Sequence, residues 1–211
     1  MTSQDNPADG RDGPVLVVSA HAGDFVWRAG GGMALAASRG AAVTVLCLTY
    51  GERGESARAW RDGMQLTEIK ELRRAEAAGA AGVLGASIEF LDAGDYPLRE
   101  SPDLVDQIVR CFRRTEPAVV LTPVFLFEPH QPEQCEFKPE VLLDITGVFA
   151  IKRRAMECLV AQQHMWDYYT DLATRRGVQL RRNAGPNLGL AHNTMAEAYM
   201  RVYPQVTDVL Q

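Results

Sequence analysis

The chain has 211 residues, 46% of them apolar and 23% charged, enough to bury one substantial core in a single domain. A formal net charge of −5 and the lack of any basic run interleaved with aromatics argue against a nucleic-acid surface, while leaving room for a small anion held by a few local arginines. No apolar stretch reaches the roughly 18 residues that a membrane span needs.

Residues 1–14 are polar and rich in Asp, Gly and Pro without the apolar centre of a signal peptide, and are expected to form a disordered leader. Residues 15–211 are expected to form one domain. Its first element is the strand Val15–Ala20, followed by an Ala/Gly-rich helix over Asp24–Arg39 and a second strand over Ala42–Thr49, whose continuous β-branched and apolar residues suit burial on both faces. A polar loop covers Tyr50–Asp62. A helix over Leu66–Leu84 follows, with Glu68, Glu71, Arg74 and Glu76 as its exposed stripe, then a short strand at Ser87–Leu91, a helix over Pro102–Arg114 and a strand at Ala118–Thr122. This alternation predicts an α/β fold, an open, mostly parallel, Rossmann-like sheet with helices on both faces.

The pattern then breaks. Ala118–Thr122 runs directly into a second strand-like stretch, Pro123–Glu128, although parallel neighbours need a crossover of a dozen residues or more. Either the two runs form one long strand containing a proline, or a crossover is absent between Thr122 and Pro123. The second reading is favoured, because proline is disfavoured inside a central strand. Further on, Pro129–Pro139 reads as a loop, Gly147–Arg176 as one long amphipathic helix, and Ala191–Val202 as a last helix. The four cysteines, Cys47, Cys111, Cys135 and Cys158, are scattered without a C-x-x-C pair, as expected for reduced, mostly buried thiols in a cytoplasm.

The chemistry-bearing residues gather after the predicted strands, on the rim where ligands bind in open α/β sheets. His21 and Asp24 stand three apart just past the first strand. An imidazole and a carboxylate together suit Zn²⁺ or another divalent ion; by spacing alone such a pair is a loop hydrogen bond in most proteins, and its position after the first strand favours the metal. Gly51-Glu52-Arg53-Gly54-Glu55-Ser56 follows the second strand and carries two carboxylates and an arginine; it reads either as a crevice loop or as a solvated cap of the next helix. His130, in Phe127–Cys135, is placed over the same crevice. Asp92 and Asp95 are expected to shape a turn and support the site, and His164 and His192 to be surface or helix-face histidines. The glycines of Ala29-Gly30-Gly31-Gly32 lack G-x-G-x-x-G spacing and are read as close helix packing. Arg28 and Arg53 are candidate carboxylate clamps through the guanidinium fork, with simple packing as the alternative for Arg28.

Ser19–Asp24, Leu48–Ser56 and Arg73-Arg74-Ala75-Glu76 with Leu84-Gly85, in this order, resemble the PIG-L/LmbE family of zinc-dependent deacetylases. That family's usual first motif is Ala-His-Pro-Asp-Asp-Glu, whose first Asp acts as general base. Here that position is Gly23 and the final acid is Phe25. Ala20–Gly31, Gly51–Ser56 and Phe127–Cys135 are more particularly similar to the 4-oxalomesaconate hydratase branch, which adds water to a carbon–carbon double bond in gallate and protocatechuate catabolism. The resemblance implies a Zn²⁺ or another divalent metal on His21 and Asp24, with Glu55 and His130 as the acid–base pair and Glu52 as a less favoured substitute for Glu55. It places the third metal ligand in a His-containing segment after the fourth strand, the stretch absent between Thr122 and Pro123. The implied substrate is a small anionic polycarboxylate. Composition points to a cytoplasmic protein without nucleic-acid or membrane partners, and a homo-oligomer is the default expected of a metabolic enzyme. A zinc-dependent N-deacetylase and a non-catalytic, metal-poor paralogue are the alternatives.

Overall fold

The computed structural model of the chain describes residues 13–121, 128, 136–184 and 189–200. Four parallel strands form the main sheet in the order β3-β2-β1-β4, with β1 Val15–Ser19, β2 Val43–Cys47, β3 Ser87–Phe90 and β4 Val119–Leu121. β1 and β2 are central, which is why Leu16, Val17, Val45 and Leu46 are fully buried and their sequences run apolar without alternation. Pro14 already joins the sheet, its carbonyl accepting the N–H groups of Ala118 and Val119 at 2.8 and 3.2 Å, so order begins earlier than expected. Residues 1–12 lie outside the described residues.

Each crossover is helical. α1 Asp24–Ser38 and α3 Leu66–Val83 bury Phe25, Met33, Ala77 and Ala80 with Val17 and Val45 on one face of the sheet, and α4 Pro102–Thr115 lays Cys111, Ile108 and Phe112 against Leu16 and Leu46 on the other. The expected loop Tyr50–Asp62 contains a short helix, α2 Ala57–Arg61. The thiols of Cys47 and Cys111 are free and buried, while Cys158 is half-buried; Cys135 lies outside the described residues. Among the described residues no helix is long and apolar enough to cross a membrane.

The C-terminal third departs from expectation. The single helix expected over Gly147–Arg176 is two, α5 Phe149–Glu157 and α6 Trp166–Ala184, separated by a 3₁₀ segment Val160–Met165 in which Gln162 has φ −116° and ψ 27°. The Ala161 N–H is drawn off the helix to the Glu76 carboxylate at 2.8 Å, and the Gln162 side chain to Arg73, so side-chain partners on α3 compete with helix continuation. The expected helix near Ala191–Val202 is instead strand β6 Ala196–Tyr199, antiparallel to an unexpected strand β5 Val141–Asp144. Ala-Glu-Ala reads as helical by propensity, and tertiary pairing overrides it.

Glu197 of β6 is the reason for that override. It is 4% exposed and accepts hydrogen bonds from Lys152 Nζ at 2.7 Å, Tyr199 Oη at 2.5 Å and the Gly31 and Gly32 N–H groups at 2.7 and 2.8 Å. The Gly30–Gly32 run therefore lets α1 come close to β6, as the packing reading requires. A Cβ on Gly31 would fall 2.7 Å from Ile145 and 2.9 Å from Glu197 Oε1. Gly31→Ala is expected to lower unfolding free energy by about 1–3 kcal/mol through this overpacking. Gly82→Ala, with nothing within 4 Å of its Cβ, should be neutral or raise stability by up to about 1 kcal/mol. Urea unfolding of both variants checks the pair, and equal stabilities would contradict the close-approach reading.

Candidate active site

Three loops leave the carboxyl ends of β1, β2 and β3 side by side. The Ser19 hydroxyl donates to the His21 carbonyl at 2.7 Å, and the Thr49 N–H and hydroxyl both donate to the Ala20 carbonyl, at 3.0 and 2.9 Å, locking the first loop to the second. Asp24 opens α1, where a carboxylate meets the positive end of the helix dipole, and its Oδ2 also accepts the His21 N–H at 3.1 Å. One turn on, Arg28 Nη2 lies 3.3 Å from Asp24 Oδ1.

His21 is the meeting point. Its Nδ1 lies 3.2 Å from Asp24 and 3.4 Å from Glu55 Oε1, and its Nε2 lies 3.3 Å from Asp95 Oδ1. Asp95 is in turn fixed by the Arg53 and Gly54 N–H groups at 2.9 and 3.0 Å, so it turns the loop and orients the imidazole, the supporting part expected of it. Burial opposes a charge on His21, but the hydrogen bonds and charges of Asp24 and Glu55 outweigh it and raise its pKa to about 11. Asp24 is pulled the other way: burial favours its neutral form, and His21 and Arg28 together hold its carboxyl below the ordinary range. An imidazole that clings to a proton among three carboxylates marks a place built for positive charge. His21, Asp24 and Glu55 offer one nitrogen and two oxygens within 4.8 Å of one another, a donor set that suits a divalent cation, with Nε2 directed to Asp95 as metal-bound histidines usually direct their second nitrogen.

The two glutamates of the second loop part company. Glu52 is 2% exposed and accepts the N–H groups of Tyr50 and Asp95, both at 3.1 Å, which makes it a brace for the loop. Glu55 faces His21 with one oxygen and Arg73 Nη2, at 3.2 Å, with the other. Arg73 is fully buried and also donates to Glu76 at 2.8 Å, to Gln162 Oε1 at 2.8 Å and to the Tyr50 carbonyl at 3.3 Å. Glu76 is accordingly buried, contrary to its placement on the exposed stripe of α3. Its charge is matched by Arg73 and its second oxygen is taken by Ala161 N–H. The register Ile69, Arg73, Ala77 and Ala80 held the available signal, since it puts an arginine on the apolar face of α3.

Gly23 stands where the family motif carries its general base. A Cβ there would fall 2.5 Å from Gln162 Oε1 and 2.7 Å from Trp27 Nε1, so the space that a side chain would need is already taken. Beyond it opens a cavity of about 800 Å³ lined by Asp24, Glu55, Trp27, Arg28, Gln162 and Tyr169, with Arg58, Arg61 and His164 along its rim. Trp27 stacks on Tyr169 at 5.2 Å between ring centres, and burial pushes the Tyr169 phenol up to about 12. Of the two candidate clamps, Arg28 lines the cavity. Arg53 is exposed and meets the site through its backbone N–H. His164 is exposed, as expected, yet borders the cavity, and His192 is exposed in a turn. His130 and the Thr122–Pro123 junction lie outside the described residues. Gln162 and Trp27 carry no local sequence signal of a site.

The model of the family described as PIG-L: GlcNAc-PI de-N-acetylase matches residues 16–132, more than half of the chain. This chain belongs to the PIG-L family. Within that family it is 43% identical to a 4-oxalmesaconate hydratase of Pseudomonas putida, over 92% of this chain and 91% of the relative. The crystal structure of the 4-carboxy-2-hydroxymuconate hydratase GalB from the same species superposes with a TM-score of 0.89 at 41% identity, covering 95% of this chain and all of that one. The N,N'-diacetylchitobiose deacetylase of Pyrococcus horikoshii shares the fold, with a TM-score of 0.70 at 19% identity over 92% of this chain and 85% of its own. The alignment with the Pseudomonas hydratase runs over 237 positions but holds 92% of these 211 residues, about 194, so about 40 of its positions face no residue here.

Because His21 holds a proton at neutral pH without a metal, a divalent cation must displace it. Loading Zn²⁺ is expected to release about one proton per ion, and apparent affinity to fall as pH falls. Calorimetry in buffers of different ionisation enthalpy checks this, and a heat of binding independent of buffer would contradict it.

Proposed function

We propose that this chain is a metal-dependent hydro-lyase, similar to 4-oxalomesaconate hydratase, that adds water to a conjugated polycarboxylate alkene in aromatic-acid catabolism. The observation that carries this reading is Gly23. The base carboxylate of a family deacetylase is missing, and its place is closed by Gln162 and Trp27, while Glu55 faces the metal donors from the neighbouring loop. The 43% identity to a hydratase over nearly the whole chain supports the same reading.

The metal we propose is Zn²⁺, held by His21 and Asp24, with Glu55 within reach of the same ion. When bound, it supplies Lewis acidity toward substrate oxygens and makes a nearby water more acidic. Glu55 takes a proton from the attacking water as its oxygen bonds to one alkene carbon. His130 gives a proton to the other carbon, so that the elements of water are added and the pair is reset by proton exchange with solvent. Arg73 keeps Glu55 aimed at His21. Arg28 binds a substrate carboxylate on the cavity wall, and the anionic substrate is a small polycarboxylate.

Glu55→Gln and His130→Ala are each expected to lower the kcat of hydration about 10²–10⁴-fold. Metal content measured by elemental analysis should stay near wild type in both. The assay follows the ultraviolet absorbance of an oxalomesaconate-type substrate with and without added Zn²⁺. Loss of metal in Glu55→Gln would make Glu55 a ligand and overturn its role as base. Gly23→Asp is expected to gain no amide hydrolysis on N-acetylated amino sugars, and appearance of that activity would favour the deacetylase reading.

A further inference from the structure

Beside the metal donors, the cavity wall holds polar groups that take no part in the proton transfers of the hydration step. Trp27 is 2% exposed, and its indole Nε1–H is buried without a hydrogen-bond partner among the described residues. A buried donor left unpaired costs about 1–3 kcal/mol, and a phenylalanine would stack on Tyr169 equally well without that cost. The indole therefore calls for an acceptor beyond the described residues, a place that a ligand oxygen in the cavity would fill. Gln162, 6% exposed and part of the cavity lining, commits its Oε1 to Arg73 at 2.8 Å, which leaves its amide N–H groups as its remaining donors. Gln162 Oε1 and Trp27 Nε1 flank Gly23, whose Cβ would lie 2.5 Å from the first and 2.7 Å from the second, so the carboxamide and the indole meet at one place on the wall. Arg28 lines the same wall, hydrogen-bonded to the Tyr169 phenol and beside Asp24.

We infer that Trp27, Gln162 and Arg28 form a seat for one carboxylate of the substrate, fixed next to the metal centre by two neutral N–H donors and one guanidinium. The inference rests on the hydratase reading and extends it to specificity. Replacing a general-base aspartate by Gly23 removes a negative charge from beside the seat and makes room for the Gln162 carboxamide, so a single change both disables deacetylation and admits an anion. The break between α5 and α6 serves the same end, because a continuous helix would not bring Gln162 to Arg73. A carboxylate at this seat accepts from three directions, whereas an alcohol or amide at the same place leaves at least part of the cationic wall unmatched.

The test uses the Zn²⁺-loaded full chain and two unreactive probes, propane-1,2,3-tricarboxylate and glutarate, which has the same carbon chain without the middle carboxylate. Calorimetric Kd values are measured for wild type, Trp27→Phe and Gln162→Met, with near-ultraviolet circular dichroism to verify folding. Wild type is expected to prefer the tricarboxylate. Trp27→Phe should raise the Kd for the tricarboxylate about tenfold or more while changing that for glutarate less than twofold, and Gln162→Met should act in the same direction. Equal loss toward both probes, no loss toward either, or no wild-type preference overturns the seat. If Trp27→Phe does not fold, the wild-type preference for the tricarboxylate decides alone. Wild-type hydration of an oxalomesaconate-type substrate is measured in parallel: turnover with unchanged probe affinities rejects the seat and leaves the hydratase, and absence of turnover rejects the hydratase reading itself.

Discussion

The site depends on a guanidinium with no exposure to water. Arg73 reaches from α3 to Glu55 on the loop after β2, to Glu76 on its own helix, to Gln162 in the 3₁₀ segment and to the Tyr50 carbonyl. Burying a cation is expensive unless every donor is matched and charge is balanced nearby, and breaking such a group by removing one partner typically costs 3–5 kcal/mol. Two carboxylates, a carboxamide and a backbone carbonyl supply that match. The consequence is geometric: Glu55 can satisfy Arg73 with one oxygen only while turning the other toward His21. A loop that would otherwise wander is thereby held in register with the tip of β1.

The sheet supplies the second constraint. Parallel pairing of β1 with β2, in register from Val15 with Val43 to Ser19 with Cys47, delivers both loops to the same rim. Asp24 then combines two roles, capping the charge of the helix end and facing His21, while Asp95 closes the ring from the loop after β3. The charges of Asp24, Glu55 and Asp95 around one imidazole are balanced by the protonated His21, by Arg28 beside Asp24 and by Arg73 beside Glu55. Arg73, the parallel sheet and the Glu197 cluster are what keep these carboxylates together.

How much of this was legible follows from how local each signal is. β1, α1, β2 and α3 have long apolar runs or clear helical periodicity, and each falls within one or two residues of its expected bounds. His21 and Asp24 lie three apart, so one loop reveals them. Glu55 was separable from Glu52 only by resemblance, because both sit on a turn whose direction depends on Asp95, some 40 residues away. Gln162 was invisible: its meaning lies in a contact with Arg73 across 89 positions. β5 and β6 are four residues each, and the helical composition of Ala196–Tyr199 is outvoted by a buried carboxylate that needs Lys152, Tyr199 and the α1 glycines. The misplacement of Glu76 has the same cause, a buried partner that periodicity alone does not register.

The account stands on a cation at the tip of β1. Crystals soaked in Zn²⁺ and measured at the zinc absorption edge address it most directly, because the anomalous signal locates the metal without reference to activity. The account predicts one strong peak bounded by His21 Nδ1 and an Asp24 oxygen, with Glu55 facing it and His21 Nε2 still directed to Asp95. A peak elsewhere, or the His21 and Asp24 side chains turned apart with no metal between them, would contradict it.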